Sequence, residues 1–181
     1  MVENRKIQYT KHILSTTLIE LLKDNHISQI SVSQLCEEAN INRTTFYRYY
    51  TDVLALLNEI ENKVVNDLLH YLNQFNAIRS NEEILSILEL LVRYILNHEA
   101  IFGVIMAETK NFDFKQKFIN VFYTHIENIY ADNIKQNKEK LTYILYGSIA
   151  LIQNWLSKKI RSTPHQMAKL MLDFGNRILN D

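Results

Sequence analysis

The sequence predicts an all-α protein, and three observations support this fold class. Apolar residues recur three and four positions apart along most of the chain, which is the spacing of amphipathic helices. The 181 residues include only three glycines and one proline, whereas turn-rich β-folds need many of both. Hydrophobic residues make up 47% of the chain and the formal net charge is zero, which excludes an intrinsically disordered protein.

The first predicted helix covers residues 5–24, where four leucines lie on one face. Ser31 followed by Gln34 is a capping box, which predicts a short second helix over residues 32–39. Asn40 then follows, and asparagine tolerates the left-handed conformation that ends helices.

Two further helices are predicted from their N-terminal caps. Asn42 caps a short helix over residues 43–49. Thr51 and Asp52 cap a longer helix that extends to about Phe75.

The remainder of the chain is also predicted to be helical. Ser80 with Glu83 forms a second capping box, and Thr163-Pro164 with Gln166 is the clearest helix start in the sequence. The predicted helices are 82–97, 100–107, 112–134, 139–159 and 164–179. The total is about nine helices and no strand. We expect a helix-turn-helix domain over residues 1–51 and a helical regulatory and dimerisation domain over residues 52–181.

Several classes of protein are not supported by the sequence. The single cysteine, Cys36, excludes an internal disulfide and is predicted to be a small buried residue. No nucleophile motif, phosphate-binding glycine loop or metal-ligand spacing is present, so we expect no enzyme activity, cofactor or metal. Without a signal peptide or an apolar run of 18 residues, the protein is expected to be cytoplasmic and not to bind membranes.

Residues 31–50, SVSQLCEEANINRTTFYRYY, carry the strongest functional signal. Two short helices with a three-residue turn are typical of a helix-turn-helix, and Phe46 is predicted to face its core. The outward side chains of the second helix combine cations, hydroxyls and phenols without an acidic residue. Such groups contact base edges and phosphates, so we predict that they bind DNA. They are Arg43, Thr44, Thr45, Tyr47, Arg48 and Tyr49.

These residues, together with the first helix, resemble the DNA-binding domain of the TetR/AcrR family of transcriptional regulators. Asn42, Thr45, Phe46, Tyr47 and Tyr50 match the family pattern of a capped recognition helix of the type Ser-x-x-Thr-Phe-Tyr-x-x-Phe. The resemblance covers about residues 5–57. It implies a homodimer that binds double-stranded DNA at an inverted repeat, and a C-terminal domain that binds an effector.

The sequence departs from the family pattern at two positions. Asn40 replaces the usual glycine of the turn, and Val53 replaces the usual lysine at the start of the fourth helix. The resemblance implies that this lysine contacts a phosphate, so its absence predicts modest DNA affinity.

Apolar stripes on the last two helices predict helix packing across a dimer interface. The predicted helix 139–159 has two apolar sides, so we expect it to be buried between two layers. One layer is expected to belong to a second subunit, so that the last two helices of both subunits form a twofold four-helix bundle. The predicted interface residues are Leu145, Ser148, Ile152, Trp155, Leu170, Met171 and Phe174.

Aromatic residues concentrate in the middle of the regulatory region, where they line an apolar pocket or form a plain core. The candidate pocket residues are Phe102, Met106, Phe118, Phe122 and Tyr146. A small apolar or aromatic effector would fit such a pocket.

The sequence therefore predicts a ligand-responsive homodimeric repressor. The effector would tilt the fourth helix and change the spacing of the two recognition helices. Three alternatives remain open: an activator or co-activator that works through a protein partner, a helical interaction protein that does not bind DNA, and an all-α enzyme.

Overall fold

The computed structural model describes residues 2–73, 80–106, 112–134, 137–158 and 161–180. Over these residues it contains nine α-helices and one short 3-10 helix, and no strand. The prediction of an all-α fold is confirmed. The predicted helix ends at Phe75, Ala107 and Lys159 lie outside the described residues.

The helices lie close to the predicted positions. They are α1 (Val2–Asp24), α2 (Val32–Glu38), α3 (Arg43–Tyr47), α4 (Val53–Asn73), α5 (Asn81–Asn97), α6 (Glu99–Ile105), α7 (Phe112–Ile134), α8 (Lys138–Ser157) and α9 (Pro164–Asn180). A 3-10 helix at Ile27–Gln29 was not predicted. It forms because the His26 ring accepts a hydrogen bond from the Ser28 amide while Gln29 accepts one from the His26 amide.

The cap before α9 explains the sharp start of this helix. The Thr163 hydroxyl accepts a hydrogen bond from the Gln166 amide at 3.2 Å, and the Gln166 side chain accepts one from the Thr163 amide at 2.9 Å. Both halves of the predicted capping box are therefore present. At Ser31 only one half forms, because the Gln34 side chain bonds Glu38 instead.

The chain divides into two compact units, Met1–Val64 and Val65–Asp181, which we describe separately. Their boundary lies within α4. The functional division predicted at residues 51 and 52 stays a prediction. Among the residues that the structure describes, no helix combines the length and the apolar character needed to cross a membrane.

Each unit has its own apolar core. In the first unit, α1, α2 and α3 pack around side chains with no exposed surface, including Leu14, Leu35 and Phe46. In the second unit, α9 packs on α5 and α8, while Phe102 and Phe114 are fully buried. Burial of this apolar surface is the main favourable contribution to folding in both units.

Candidate nucleic-acid interface and ligand cavity

The turn between α2 and α3 has the hydrogen bonds of a Schellman motif. Asn40 adopts a φ of 51°, and its amide donates to the Glu37 carbonyl at 3.1 Å. The Ile41 amide donates to the Cys36 carbonyl at 2.9 Å. This is the geometry that ends a helix with a left-handed residue, and asparagine adopts it more readily than most residues. The prediction for Asn40 is confirmed.

Helix α3 is fixed at its start and along its inner face. The Asn42 side chain accepts a hydrogen bond from the Thr44 amide at 2.8 Å and so caps the helix. Phe46 is fully buried, as predicted, and its ring lies 5.6 Å from the rings of both Tyr47 and Tyr50. These contacts determine which side chains of α3 face solvent.

The six predicted DNA contacts lie around the outer side of this helix. Arg43, Thr44, Tyr47 and Arg48 are exposed, and Thr45 and Tyr49 are partly exposed. Tyr47 keeps 57% of its surface exposed. The structure thus places the six side chains where a DNA duplex can reach them, while their contacts with DNA stay a prediction.

A polar cluster that the sequence analysis missed lies beside this helix. Lys11 on α1 donates to both carboxylate oxygens of Glu59 on α4, at 3.1 and 2.9 Å. The Tyr50 hydroxyl donates to the same carboxylate at 3.0 Å. Burial and the neighbouring Glu59 charge raise the pKa of Tyr50, so its phenol stays protonated and donates this bond. Because 48 residues separate Lys11 from Glu59, no local sequence pattern signals the pair.

Cys36 is buried, as predicted. Burial raises the pKa of its thiol, and the charge of Arg43 offsets this only in part. A protonated, buried thiol is a poor nucleophile, so Cys36 is a packing residue of the helix-turn-helix.

The second unit contains an apolar cavity of about 200 Å³ between α5, α7, α8 and α9, and Leu68 on α4 also lines it. Its lining is almost entirely aliphatic, with Phe118 and Phe122 on α7 as its aromatic members. Among the described residues of the lining, Ser148 and Asn176 carry a polar side-chain group.

The candidate pocket residues are not all brought together. Phe118 and Phe122 line the cavity, with ring centroids 4.7 Å apart. Phe102 and Met106 are buried but lie outside this lining. Tyr146 is 45% exposed and its hydroxyl points to Gln116 on α7, at 3.4 Å.

The predicted dimer residues also separate into groups. Ile152, Trp155 and Met171 are already buried inside the unit, so association would remove little further surface from water. Leu145 and Ser148 are partly buried and line the cavity. Leu170 and Phe174 are exposed on α9.

Trp155 has a clear structural role. Only 2% of its surface is exposed, and its indole N–H donates to the Ser162 carbonyl at 2.9 Å. The Arg161 guanidinium lies 5.9 Å from the ring centroid. Trp155 therefore holds Ser162, just before α9, against the core.

The fold and the exposed helix α3 define a helix-turn-helix regulator of transcription, and comparison with known proteins identifies its family. The TetR model described as "Transcriptional regulator C-terminal region" matches residues 82–177, more than half of the chain. The chain belongs to the TetR family of DNA-binding transcriptional regulators.

The individual relatives share less than 30% of their residues with this chain. The chain is 29% identical to the dhaKLM operon transcriptional activator DhaS of Lactococcus lactis over 143 residues, covering 77% of this chain and 68% of DhaS. A TetR regulator from Streptococcus agalactiae has a similar structure, with a TM-score of 0.64, 21% identity, and coverage of 96% of this chain and 97% of the other. The structure of a dihydroxyacetone kinase operon activator, DhaS, is also similar, with a TM-score of 0.59 and 19% identity. This comparison covers 94% of this chain and 96% of the other. At these identities the two structures support the fold alone.

Proposed function

We propose that this regulator acts as a homodimer that binds an inverted repeat and responds to a small apolar effector. The observation that carries the proposal is the outer side of α3, which presents Arg43, Tyr47 and Arg48 to solvent with no acidic side chain on the helix. Arginine binds guanine or phosphate in a bidentate manner, and a helix of this kind fits the major groove of DNA. Since DNA is the target, the cytoplasm is the proposed location.

An exposed face of α8 and α9 supports the homodimer. Tyr143, Tyr146 and Ala150 are exposed along one side of α8, at helical spacing, and Leu170 and Phe174 are exposed on α9. Exposed apolar side chains grouped on neighbouring helices are typical of a protein interface. We propose that this face, rather than the buried Trp155, forms most of the contact between subunits.

The cavity between α5, α7, α8 and α9 supports the effector. Its aliphatic lining favours an uncharged hydrocarbon group, because a buried charge without a partner is strongly unfavourable. We propose that a ligand in this cavity changes the DNA affinity by binding two conformations of the protein unequally.

We propose repression as the outcome of DNA binding, since a dimer seated on a promoter blocks access to it. Activation is the second candidate, and the observation that favours it is the 29% identity to a relative named as an operon activator. In vitro transcription from the bound promoter distinguishes the two outcomes, because added protein lowers the transcript in one case and raises it in the other.

The first test is selection of genomic DNA fragments by the purified protein at about 150 mM salt, where counterion release still allows specific binding. We expect enrichment of an inverted repeat, and its loss in Arg43→Ala. Arg93→Ala is the matched control, because Arg93 is an exposed arginine of the second unit that pairs with Glu89. Equal enrichment by wild type and Arg43→Ala would contradict the proposed DNA face.

The effector is tested with a neutral and a charged molecule of the same length. We expect 1-octanol to raise the unfolding temperature and octanoate to have little effect, because the cavity lining offers no cationic partner for a carboxylate. A larger shift with octanoate would contradict the proposed ligand chemistry.

A further inference from the structure

Four side chains from three parts of the first unit meet beside the proposed DNA face. We call them the lysine–tyrosine cluster: Lys11 on α1, Tyr49 and Tyr50 after α3, and Glu59 on α4. The Lys11 ammonium nitrogen lies 5.3 Å from the ring centroid of Tyr50 and 6.0 Å from that of Tyr49. Tyr49 is itself one of the predicted DNA contacts, so the ammonium lies at the edge of that face.

The environment of Lys11 leaves it able to bind an anion. An ammonium group has three N–H donors, and Glu59 accepts a hydrogen bond with each of its two oxygens. The pair remains accessible to water, with 29% of the Lys11 side chain and 48% of the Glu59 side chain exposed. Accessible ion pairs of this kind are weak, so a phosphate can compete with Glu59 for the ammonium.

The position of Lys11 is held by its neighbours. Tyr50 is 5% exposed and donates its hydroxyl hydrogen to Glu59 at 3.0 Å. Its ring also packs on Phe46, the buried anchor of α3. The carboxylate that Lys11 bonds is therefore itself joined to Tyr50, which packs on the anchor of α3.

The first unit carries no excess of positive charge, so each cation that reaches a phosphate matters for DNA affinity. Residues 1–64 contain seven Lys and Arg residues against eight Asp and Glu residues, a formal net charge of −1. Affinity for DNA depends on the number of phosphates that cations neutralise. With few cations available, each one that reaches a phosphate changes affinity measurably.

We propose that Lys11 donates a hydrogen bond to a DNA phosphate beside Tyr49, that Tyr50 and Glu59 position it there, and that the Glu59 carboxylate limits the affinity. The inference rests on the proposed DNA face, and it adds a contact from α1 to those of α3. When phosphate approaches, the negative charge of Glu59 repels it while the positive charge of Lys11 attracts it.

The test measures the affinity for a random-sequence duplex of about 30 base pairs between about 50 and 200 mM salt, because phosphate contacts do not depend on sequence. The variants are Lys11→Met, Lys11→Arg and Glu59→Gln. Lys23→Met is the matched control, because Lys23 also lies on α1 and also pairs with a glutamate, Glu20, at 2.6 Å.

We expect Lys11→Met to reduce the slope of log affinity against log salt by about 0.9 for each subunit that makes the contact. Lys11→Arg restores the slope because it keeps the charge, and Lys23→Met leaves the slope unchanged. Glu59→Gln tightens binding about 3- to 10-fold at the lowest salt, since the glutamine retains an acceptor for Tyr50 without the charge.

A slope in Lys11→Met that equals the wild-type slope would overturn the inference. So would weaker binding by Glu59→Gln, which would indicate that the cluster only braces the fold. If the wild-type protein itself binds without salt dependence, the proposed DNA face fails instead, and the two failures are therefore distinguishable.

Discussion

Polar groups a few residues apart shape the helix-turn-helix of the first unit, whereas apolar side chains from several helices shape the interior of the second. In the first unit, Ser31, Asn40 and Asn42 set the ends of α2 and α3 through hydrogen bonds within three residues. In the second unit, the space between α5, α7, α8 and α9 is not completely filled and leaves a cavity.

This difference matches the tasks that we propose for the two units. A DNA-reading helix must keep one orientation, and short hydrogen bonds with defined angles provide it. A ligand cavity needs space and an apolar lining, which nondirectional packing provides. Substitutions at the caps and turn of the first unit should therefore act through backbone geometry, and truncations of buried side chains in the second through volume.

The largest expected effect is in the second unit, at Trp155. We expect Trp155→Ala to lower the free energy of unfolding by about 3 to 5 kcal/mol, because it removes a buried ring and its hydrogen bond to Ser162. Denaturant unfolding measures this. Trp155→Phe is the control that keeps a buried aromatic ring but loses the hydrogen bond and part of the ring volume, so its loss should be smaller. A loss below about 1 kcal/mol for Trp155→Ala would contradict the packing role.

The next effect tests backbone geometry in the first unit. Asn40→Ala is expected to lower the free energy of unfolding by about 1 kcal/mol, because alanine tolerates the φ of 51° less well than asparagine. Asn40→Gly is the matched variant, and glycine adopts this conformation without strain. Thermal or denaturant unfolding of both variants decides the point; equal loss in the two would show that the asparagine side chain, not its φ, matters.

A gain in stability is expected at Gly175, which lines the cavity from α9. A Cβ added there would lie 3.9 Å from the Ile144 Cγ2 atom, which is ordinary van der Waals contact. Gly175→Ala is therefore expected to raise the free energy of unfolding by about 1 kcal/mol through helix propensity. Gly103→Ala is the control, because its Cβ would meet no atom within 4 Å. Destabilisation by Gly175→Ala alone would indicate that α8 and α9 pack more tightly than the cavity implies.

The smallest effect concerns Glu89, a partly buried acidic residue of the second unit. Hydrogen bonds from His165 and Arg93 lower the pKa of the Glu89 carboxyl from its usual value of 4.5. A lowered folded-state pKa stabilises the protein above pH 4.5, and this contribution is lost as the pH falls through the folded-state value.

Glu89→Gln should therefore slightly lower the unfolding temperature at pH 7. At a pH well below the folded-state pKa, where the carboxyl is protonated in both the folded and the unfolded protein, the variant and the wild type should unfold alike. Unfolding curves at the two pH values check this, and a difference that persists at low pH would assign the effect to packing instead of charge.

The features predicted from the sequence were those with local causes. The starts of α2, α5 and α9 follow from Ser31, Ser80 and Thr163, each of which caps an amide three residues ahead. The left-handed turn follows from Asn40, and the burial of Phe46 follows from helical spacing. The family resemblance was confirmed by the match to residues 82–177.

Other features depend on residues that are far apart in the chain. Helical periodicity identified apolar stripes on α8 and α9, but it gave no means of telling which stripe faces the interior. Thus Ile152 and Met171 lie inside the unit while Phe174 is exposed. The ion pair of Lys11 and Glu59 forms only because α1 and α4 meet.

Helix positions, caps and the composition of α3, the proposed DNA-reading helix, are properties of short segments, because each depends on hydrogen bonds or spacing within one or two turns. The cavity, the exposed face of α8 and α9, and the lysine–tyrosine cluster depend on which helices pack together. Packing is decided by the summed burial of all apolar faces, so these features emerged only with the tertiary structure.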